Sequence, residues 1–193
     1  MVADQRSVVF TPASKRADFR EAISADWQLH PQHKGDLGDR MNDFFQTCFS
    51  SANPAENSTE ESNKVIVIGA DCPLLSPRII SDALDALDQT PVVLGPSHDG
   101  GYYLLGMRES CEEIFNNVAW STPDVLSQSI EQLKRIDKSY HLLAPMSDID
   151  EIDDLVNLQA DLNSRKSELN AGELELLNQI HSATLNYHEA NQE

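Results

Sequence analysis

The stretch that decides the fold is Lys64-Val65-Ile66-Val67-Ile68-Gly69-Ala70-Asp71-Cys72-Pro73. Four β-branched residues in unbroken succession, with no polar residue to face water, predict a short strand buried on both faces of a sheet. The run stops at Gly69 and delivers a carboxylate, Asp71, just past the strand's end. In open parallel sheets, ligands bind beyond the carboxyl ends of the strands. A carboxylate placed there can hold Mg²⁺ or Mn²⁺ against a diphosphate, because these hard cations take oxygen ligands. It can equally do no more than cap the next turn.

Outward from this strand, helices and strands alternate. On the C-terminal side, Ser76-Pro77 supplies an N-cap and a first-turn proline for a helix to about Asp88. Pro91 to Gly95 forms the next strand, and the connection Pro96-Ser97-His98-Asp99-Gly100-Gly101 leads into Tyr102-Tyr103-Leu104-Leu105. So short a gap predicts a local antiparallel pair. Thr122-Pro123-Asp124 opens a helix through Leu133, Tyr140 to Leu143 forms a last strand, and Asp150 to Leu162 a further helix. On the N-terminal side, Val8-Val9-Phe10 is a strand followed by a helix from Ser14 to Ile23, with Phe19 and Ile23 on one face. Residues 31–38 have loop composition. Met41, Phe44, Phe45, Cys48 and Phe49 recur with helical spacing from about Asp39. Ser50 to Asn63 is polar and aperiodic and predicts a surface loop. Strands alternating with helices of about a dozen residues predict a largely parallel, doubly wound α/β sheet. Beyond Ser167 an acidic tail places Leu174, Leu177 and Ile180 on one helical face, suited to docking on its own domain or to a homodimer.

Chemistry-bearing residues cluster at the connections. Asp99-Gly100-Gly101 reads first as a hairpin turn, although paired glycines also let backbone approach a ligand closely. Tyr102 and Tyr103 should alternate, one in the core and one facing the cleft. The run Asp148-Ile149-Asp150-Glu151-Ile152-Asp153-Asp154 opens a helix. Its acids suit the helix dipole, with Asp150 as a candidate N-cap. Alternatively Asp148 or Asp150 supplies a second metal ligand opposite Asp71. Gly35, Asp36, Gly38 and Arg40 precede a helix whose free N–H groups can receive phosphate; the spacing is not that of a P-loop. Trp120, Ser121 and Thr122 precede another helix, with Thr122 a natural cap. His98 is a candidate general base.

The bulk composition narrows the function classes. A net charge of -18, from 14 Lys and Arg against 32 Asp and Glu, argues against nucleic-acid or anionic-membrane partners. Most of this acid solvates helix surfaces. Three cysteines without a CxxC pair argue against a disulfide framework or structural zinc and for reduced, mostly buried thiols. A mean hydropathy of -0.41, no membrane span and no signal peptide make the cytoplasm the expected location.

Taken in order, Gln32-x-x-Gly35-Asp36-Leu37-Gly38-x-Arg40, Gly69-Ala70-Asp71-Cys72-Pro73, Gly95-Pro96 with Asp99-Gly100-Gly101-Tyr102-Tyr103-Leu104-Leu105-Gly106, Trp120-Ser121-Thr122 and Asp148-Ile149-Asp150-x-x-Asp153-Asp154-Leu155 resemble a bacterial family of uncharacterised GT-A-type glycosyltransferases. The molybdenum-cofactor and phospholactate guanylyltransferases are its relatives. The resemblance implies a three-layer, mostly parallel, Rossmann-like sheet of the nucleotide-diphospho-sugar transferase type over residues 1–165, with an acidic helical extension over 166–193. It implies a divalent metal, Mg²⁺ or Mn²⁺, held by Asp71 with Asp148 or Asp150, and catalytic roles for Asp71 and Asp99. It places Gly35, Asp36, Arg40, Gly100, Gly101, Tyr102, Trp120, Ser121 and Thr122 around the substrates. The expected reaction is transfer of a sugar from a nucleotide-linked donor, the alternatives being nucleotidyl transfer or a non-catalytic binding role. The family's usual first strand and basic loop, K-x-P-x-x-G-x-x-K-T-R-L, have no counterpart here. The chain is therefore expected to be a fragment, to start at a misplaced initiation site, or to have lost the usual nucleotide pocket.

Overall fold

The computed structural model describes residues 3–50 and 63–190; most of the loop expected between Ser50 and Asn63 lies outside the described residues. Six strands and six helices follow one another as β1 (Ser7–Phe10), α1 (Arg16–Ala22), β2 (Gln28–Pro31), α2 (Leu37–Ser50), β3 (Val65–Ile68), α3 (Pro77–Gln89), β4 (Val92–Pro96), β5 (Tyr102–Met107), α4 (Val125–Arg135), β6 (Tyr140–Leu142), α5 (Ile152–Ser164) and α6 (Ala171–Ala190). The strands form two sheets: a parallel pair, β1-β2, and a four-stranded sheet in the order β3-β5-β4-β6. Within the latter, β5 is antiparallel to both neighbours while β4 and β6 are parallel, so β3, β4 and β6 all run the same way. The antiparallel departure expected from the short β4–β5 gap is confined to that one strand.

Helices cover both faces. On one side Met41 and Phe45 of α2 and Leu133 of α4 close over Val92, Leu94, Leu105 and Met107. On the other, Ala83 and Leu87 of α3 pack on Val93, Tyr103 and Leu104. Successive strand residues thus point to opposite layers, except where the register shifts beside Gly95 and Pro96. There Tyr103 and Leu104 share a face, as expected where an irregular register interrupts the strand's alternation. Tyr102 and Tyr103 do lie on opposite faces, but neither opens onto a cleft. The Tyr103 hydroxyl donates to the Ala144 carbonyl at 3.1 Å, and the Tyr102 hydroxyl is enclosed beside Ser129.

Two local expectations are corrected. β3 is half-buried rather than covered on both faces, with Ile68 44% exposed, because it is an edge strand whose only partner among the described residues is β5. Residues 28–31 form β2, parallel to β1, so the loop expected from residue 31 begins one residue later and is preceded by a strand that no pattern in the sequence announced. Its Pro31 is tolerated because β2 is an edge strand and Gln28 and Gln32 donate toward β1, so by the strand's alternation position 31 needs no N–H toward its partner. The C-terminal helix folds back on its own domain: Leu177 and Ile180 of α6 are buried with Leu158 and Leu162 of α5, and Leu174 packs against them. No helix among the described residues is long and apolar enough to cross a membrane.

Candidate functional site

Because β3, β4 and β6 run in one direction, their carboxyl ends, together with the start of β5, meet at a single edge of the sheet. Three loops emerge there and are laced to one another through the backbone. Ser97 forms a parallel bridge with Met146, His98 N–H donates to Met146 O at 3.1 Å, and Ile149 N–H donates to Asp71 O at 3.0 Å. The last of these ties the loop after β3 to the entrance of α5. Ser97 Oγ donates to Asp148 Oδ2 at 3.0 Å and so orients that carboxylate. Nothing in the local sequence marks Ser97, whose partner is 51 residues away.

The loop 97–101 is built as the hairpin its sequence suggests. Asp99 Oδ1 accepts from Gly101 N–H at 2.8 Å, Ser97 N–H donates to Gly101 O at 3.0 Å, and Leu126 N–H at the start of α4 donates to Gly100 O at 2.9 Å. Gly100 has φ +95°, and a Cβ there would lie 2.6 Å from the Pro123 carbonyl carbon. This position therefore needs glycine twice over, for its conformation and for its close approach to the Thr122–Pro123 turn.

Asp71, Asp99 and Asp150 are exposed and Asp148 half-buried. The charges of the other three bear on Asp150. The Asp150 carboxyl is held above its ordinary value by the charge of Asp148 first, then by desolvation, and by the charges of Asp71, Asp99 and Asp154. The same charges reach Cys72, whose thiol is pushed up to about 12, chiefly by burial and then by Asp71. Asp150 is not the N-cap of α5. Glu151 takes that place in a capping box with Asp154, whose Oδ2 accepts from the N–H groups of Glu151 and Asp150, leaving the Asp150 carboxylate out of the cap.

Among the described residues no group of three or more His, Cys, Asp or Glu side chains is arranged to hold a metal ion. A cation at this edge would therefore have to be held by one or two carboxylates and completed by substrate phosphates and water, the usual mode for Mg²⁺, rather than by a cage made by the protein alone.

The other predicted substrate residues lie along a ridge that reaches this edge by contact. Gly38, in the first turn of α2, faces the Trp120 ring so closely that a Cβ would sit 2.5 Å from Cζ2. Trp120 leads through Ser121 (φ 62°) and Thr122 to Pro123, against which Gly100 packs. Thr122 is not the cap expected of it, since Asp124 holds the N-cap position of α4; its Oγ1 instead ties the preceding turn, donating to Ala119 O at 2.7 Å and accepting from Asp124 N–H. The start of α2 is occupied differently from expectation. Asp36 Oδ1 accepts from Asp39 N–H at 2.9 Å, and Asp39 Oδ2 accepts from Asp36 N–H at 3.2 Å. These two bonds take up the Asp36 and Asp39 N–H groups and place two carboxylates where a phosphate was expected. Arg40 is engaged by its own loop, donating to Gly35 O at 3.0 Å and to Gln32 Oε1 at 3.2 Å.

Beside the acidic loops lies a cavity of about 550 Å³ between Pro73–Leu74, His98, the segment 145–149 and one face of α5. Its α5 wall, Asn157 and Asp161 in particular, was not singled out from sequence. The available signal was the recurrence of polar residues at 154, 157 and 161 on a single helical face.

Residues 2–122 match the bacterial family described as "Uncharacterized protein conserved in bacteria (DUF2064)". The chain belongs to this family. No curated protein matches it. Among solved structures, it resembles a protein from Desulfovibrio desulfuricans G20 described as a "putative nucleotide-diphospho-sugar transferase". The TM-score is 0.71 at 23% identity, over 92% of this chain and 75% of the other. That likeness establishes the α/β fold of the nucleotide-diphospho-sugar transferase type.

Proposed function

We propose that this DUF2064 member is a transferase acting on a nucleotide-linked donor, with glycosyl transfer as its reaction. The observation that carries this reading is the convergence of Asp71, Asp99, Asp148 and Asp150 on laced loops at the carboxyl edge of a sheet whose fold is shared with the protein described as a "putative nucleotide-diphospho-sugar transferase". A bound divalent cation would neutralise charge at the diphosphate leaving group. Asp71 and Asp148 would hold it, Ser97 keeping Asp148 in place. Asp99, oriented by the Gly101 N–H, is available to take the proton from an acceptor hydroxyl. Gly100 keeps that loop against α4, so the carboxylate has a fixed rather than a wandering position.

A non-catalytic binding role is favoured by one observation: Arg40 is already engaged by Gly35 and Gln32, and Asp36 and Asp39 place carboxylates at the start of α2, so this loop offers little to a phosphate. Calorimetric titration with nucleotide sugars and Mn²⁺ decides. Metal-dependent binding that Asp71→Ala abolishes supports the transferase, and binding indifferent to Asp71→Ala refutes it. Pyrophosphate released from a nucleoside triphosphate would assign nucleotidyl transfer instead.

A further inference from the structure

The cavity beside the acidic loops extends further along α5 than a metal and a diphosphate require. Asp154, Asn157, Leu158 and Asp161 lie at helical spacing on its wall, a span of about 10 Å at 1.5 Å per residue. Its volume of about 550 Å³ is that of a small-molecule site. Leu74, Ile149 and Leu158 give it an apolar floor, whereas its charged lining consists of Asp148, Asp154 and Asp161, with no Lys or Arg.

The hydrogen-bond inventory says what such a space can receive. Each aspartate uses Oδ2 internally, Asp148 toward Ser97, Asp154 toward backbone N–H groups and Asp161 toward Arg165. Their Oδ1 atoms take no hydrogen bond among the described residues, and neither does the Asn157 amide. Ionised carboxylates only accept, so a ligand must bring donors. Hydroxyl and ammonium groups do so, whereas a phosphate or carboxylate ligand brings acceptors and a repelling charge.

We propose that this cavity binds a small, hydroxylated, amine-bearing molecule, which lies along α5 with its reactive hydroxyl at the end bounded by His98 and serves as the acceptor of the transfer, the adjoining Asp99 taking the hydroxyl proton as the new glycosidic bond forms and the nucleoside diphosphate leaves. The acceptor role rests on the transferase reading above; the binding does not.

Titration of the full chain with three hexoses matched in shape tests it: glucosamine, glucose and glucose 6-phosphate. Glucosamine should bind about tenfold more tightly than glucose, and glucose 6-phosphate should not bind. Raising salt from about 20 to about 500 mM should erase most of that preference, since the attraction is between exposed charges. Asn157→Trp fills the cavity from an exposed position and should abolish binding. Asp161→Asn, a milder change that leaves the cavity open, should cut the glucosamine preference about threefold. Asp71→Ala should leave glucosamine binding in place while removing metal-dependent nucleotide-sugar binding, so the two readings fail separately. Absence of glucosamine binding at about 20 mM, equal binding of the phosphate ester, or binding untouched by both Asn157→Trp and Asp161→Asn overturns the proposal.

Discussion

Replacing Gly100 with alanine should cost this protein far more than the same change one residue later. Gly100 sits at φ +95°, and an L-residue in the left-handed region costs roughly 1–2 kcal/mol. The added Cβ would also stand 2.6 Å from the Pro123 carbonyl carbon and 2.7 Å from its Cα. These are backbone atoms that cannot swing aside, so the loop or the start of α4 has to move, at a cost of about 1–3 kcal/mol typical of overpacking. Such a shift also strains the Leu126 N–H to Gly100 O hydrogen bond of 2.9 Å. The sum is about 3 kcal/mol, which in a chain of 193 residues corresponds to a fall in Tm of about 6–12 °C. At Gly101 the nearest obstacle to a Cβ is the Asp99 carboxylate at 3.3 Å, the far end of a side chain, and φ lies outside the left-handed region. Gly101→Ala should therefore cost less than about 1 kcal/mol. Urea unfolding of the two variants, read by the shift in midpoint at constant m, measures the difference. Equal destabilisation, or a neutral Gly100→Ala, would refute the account of how this loop is held.

Gly38→Ala should destabilise although alanine favours a helix by about 1 kcal/mol over glycine. Its Cβ would overlap the Trp120 ring, so a net loss of about 1–2 kcal/mol with a changed tryptophan emission is expected; a gain in stability contradicts the contact. Asp150→Asn should raise Tm at neutral pH, because the charges of Asp148, Asp71 and Asp99 hold the Asp150 carboxyl above its ordinary 3.8. A group whose pKa rises on folding favours the folded state while protonated, below its ordinary value, and that contribution is lost as pH climbs through the raised value. The advantage of the asparagine should therefore vanish on acidification through that window, and also on adding Mg²⁺ if the cation binds there; an advantage that persists in acid counts against like-charge repulsion. The Cys72 thiol, pushed up to about 12 by burial and by Asp71, should resist alkylation at pH 8, where only roughly one thiol in ten thousand is ionised. Rapid labelling of Cys72 in the folded protein, mapped by mass spectrometry, would contradict its buried placement.

Much of the candidate site was legible because its signals are local. A β-branched run ending in Gly-x-Asp, a Pro-Ser-His-Asp-Gly-Gly connection and an acidic helix entrance each announce a strand end, a hairpin or a helix start from a few adjacent residues. Their placement at one edge follows once the strands are known to alternate with helices. What stayed hidden depended on partners distant in sequence. Ser97 has no signature of its own and acquires a role only by donating to Asp148. Asp36 looks like part of a phosphate loop in sequence, whereas in the structure it exchanges hydrogen bonds with Asp39 across the first turn of the helix. Asp150 and Glu151 are equally plausible caps in sequence, and the backbone geometry selects Glu151.

The α/β alternation, the turn at Asp99-Gly100-Gly101 and the acidic cluster after Pro145 were determined by residue order alone. They reflect dihedral preferences, side-chain periodicity and charge, which act over a few residues. Tertiary structure decided that the VIVI strand is an edge rather than a centre, since the same apolar residues suit either until the neighbours are known. It sent the Tyr102 hydroxyl into the interior and brought Gly38 against Trp120. It also turned the face bearing Leu174, Leu177 and Ile180 inward onto α5. Each of these outcomes is a contact between segments far apart in the chain, and such contacts depend on packing that no local pattern encodes.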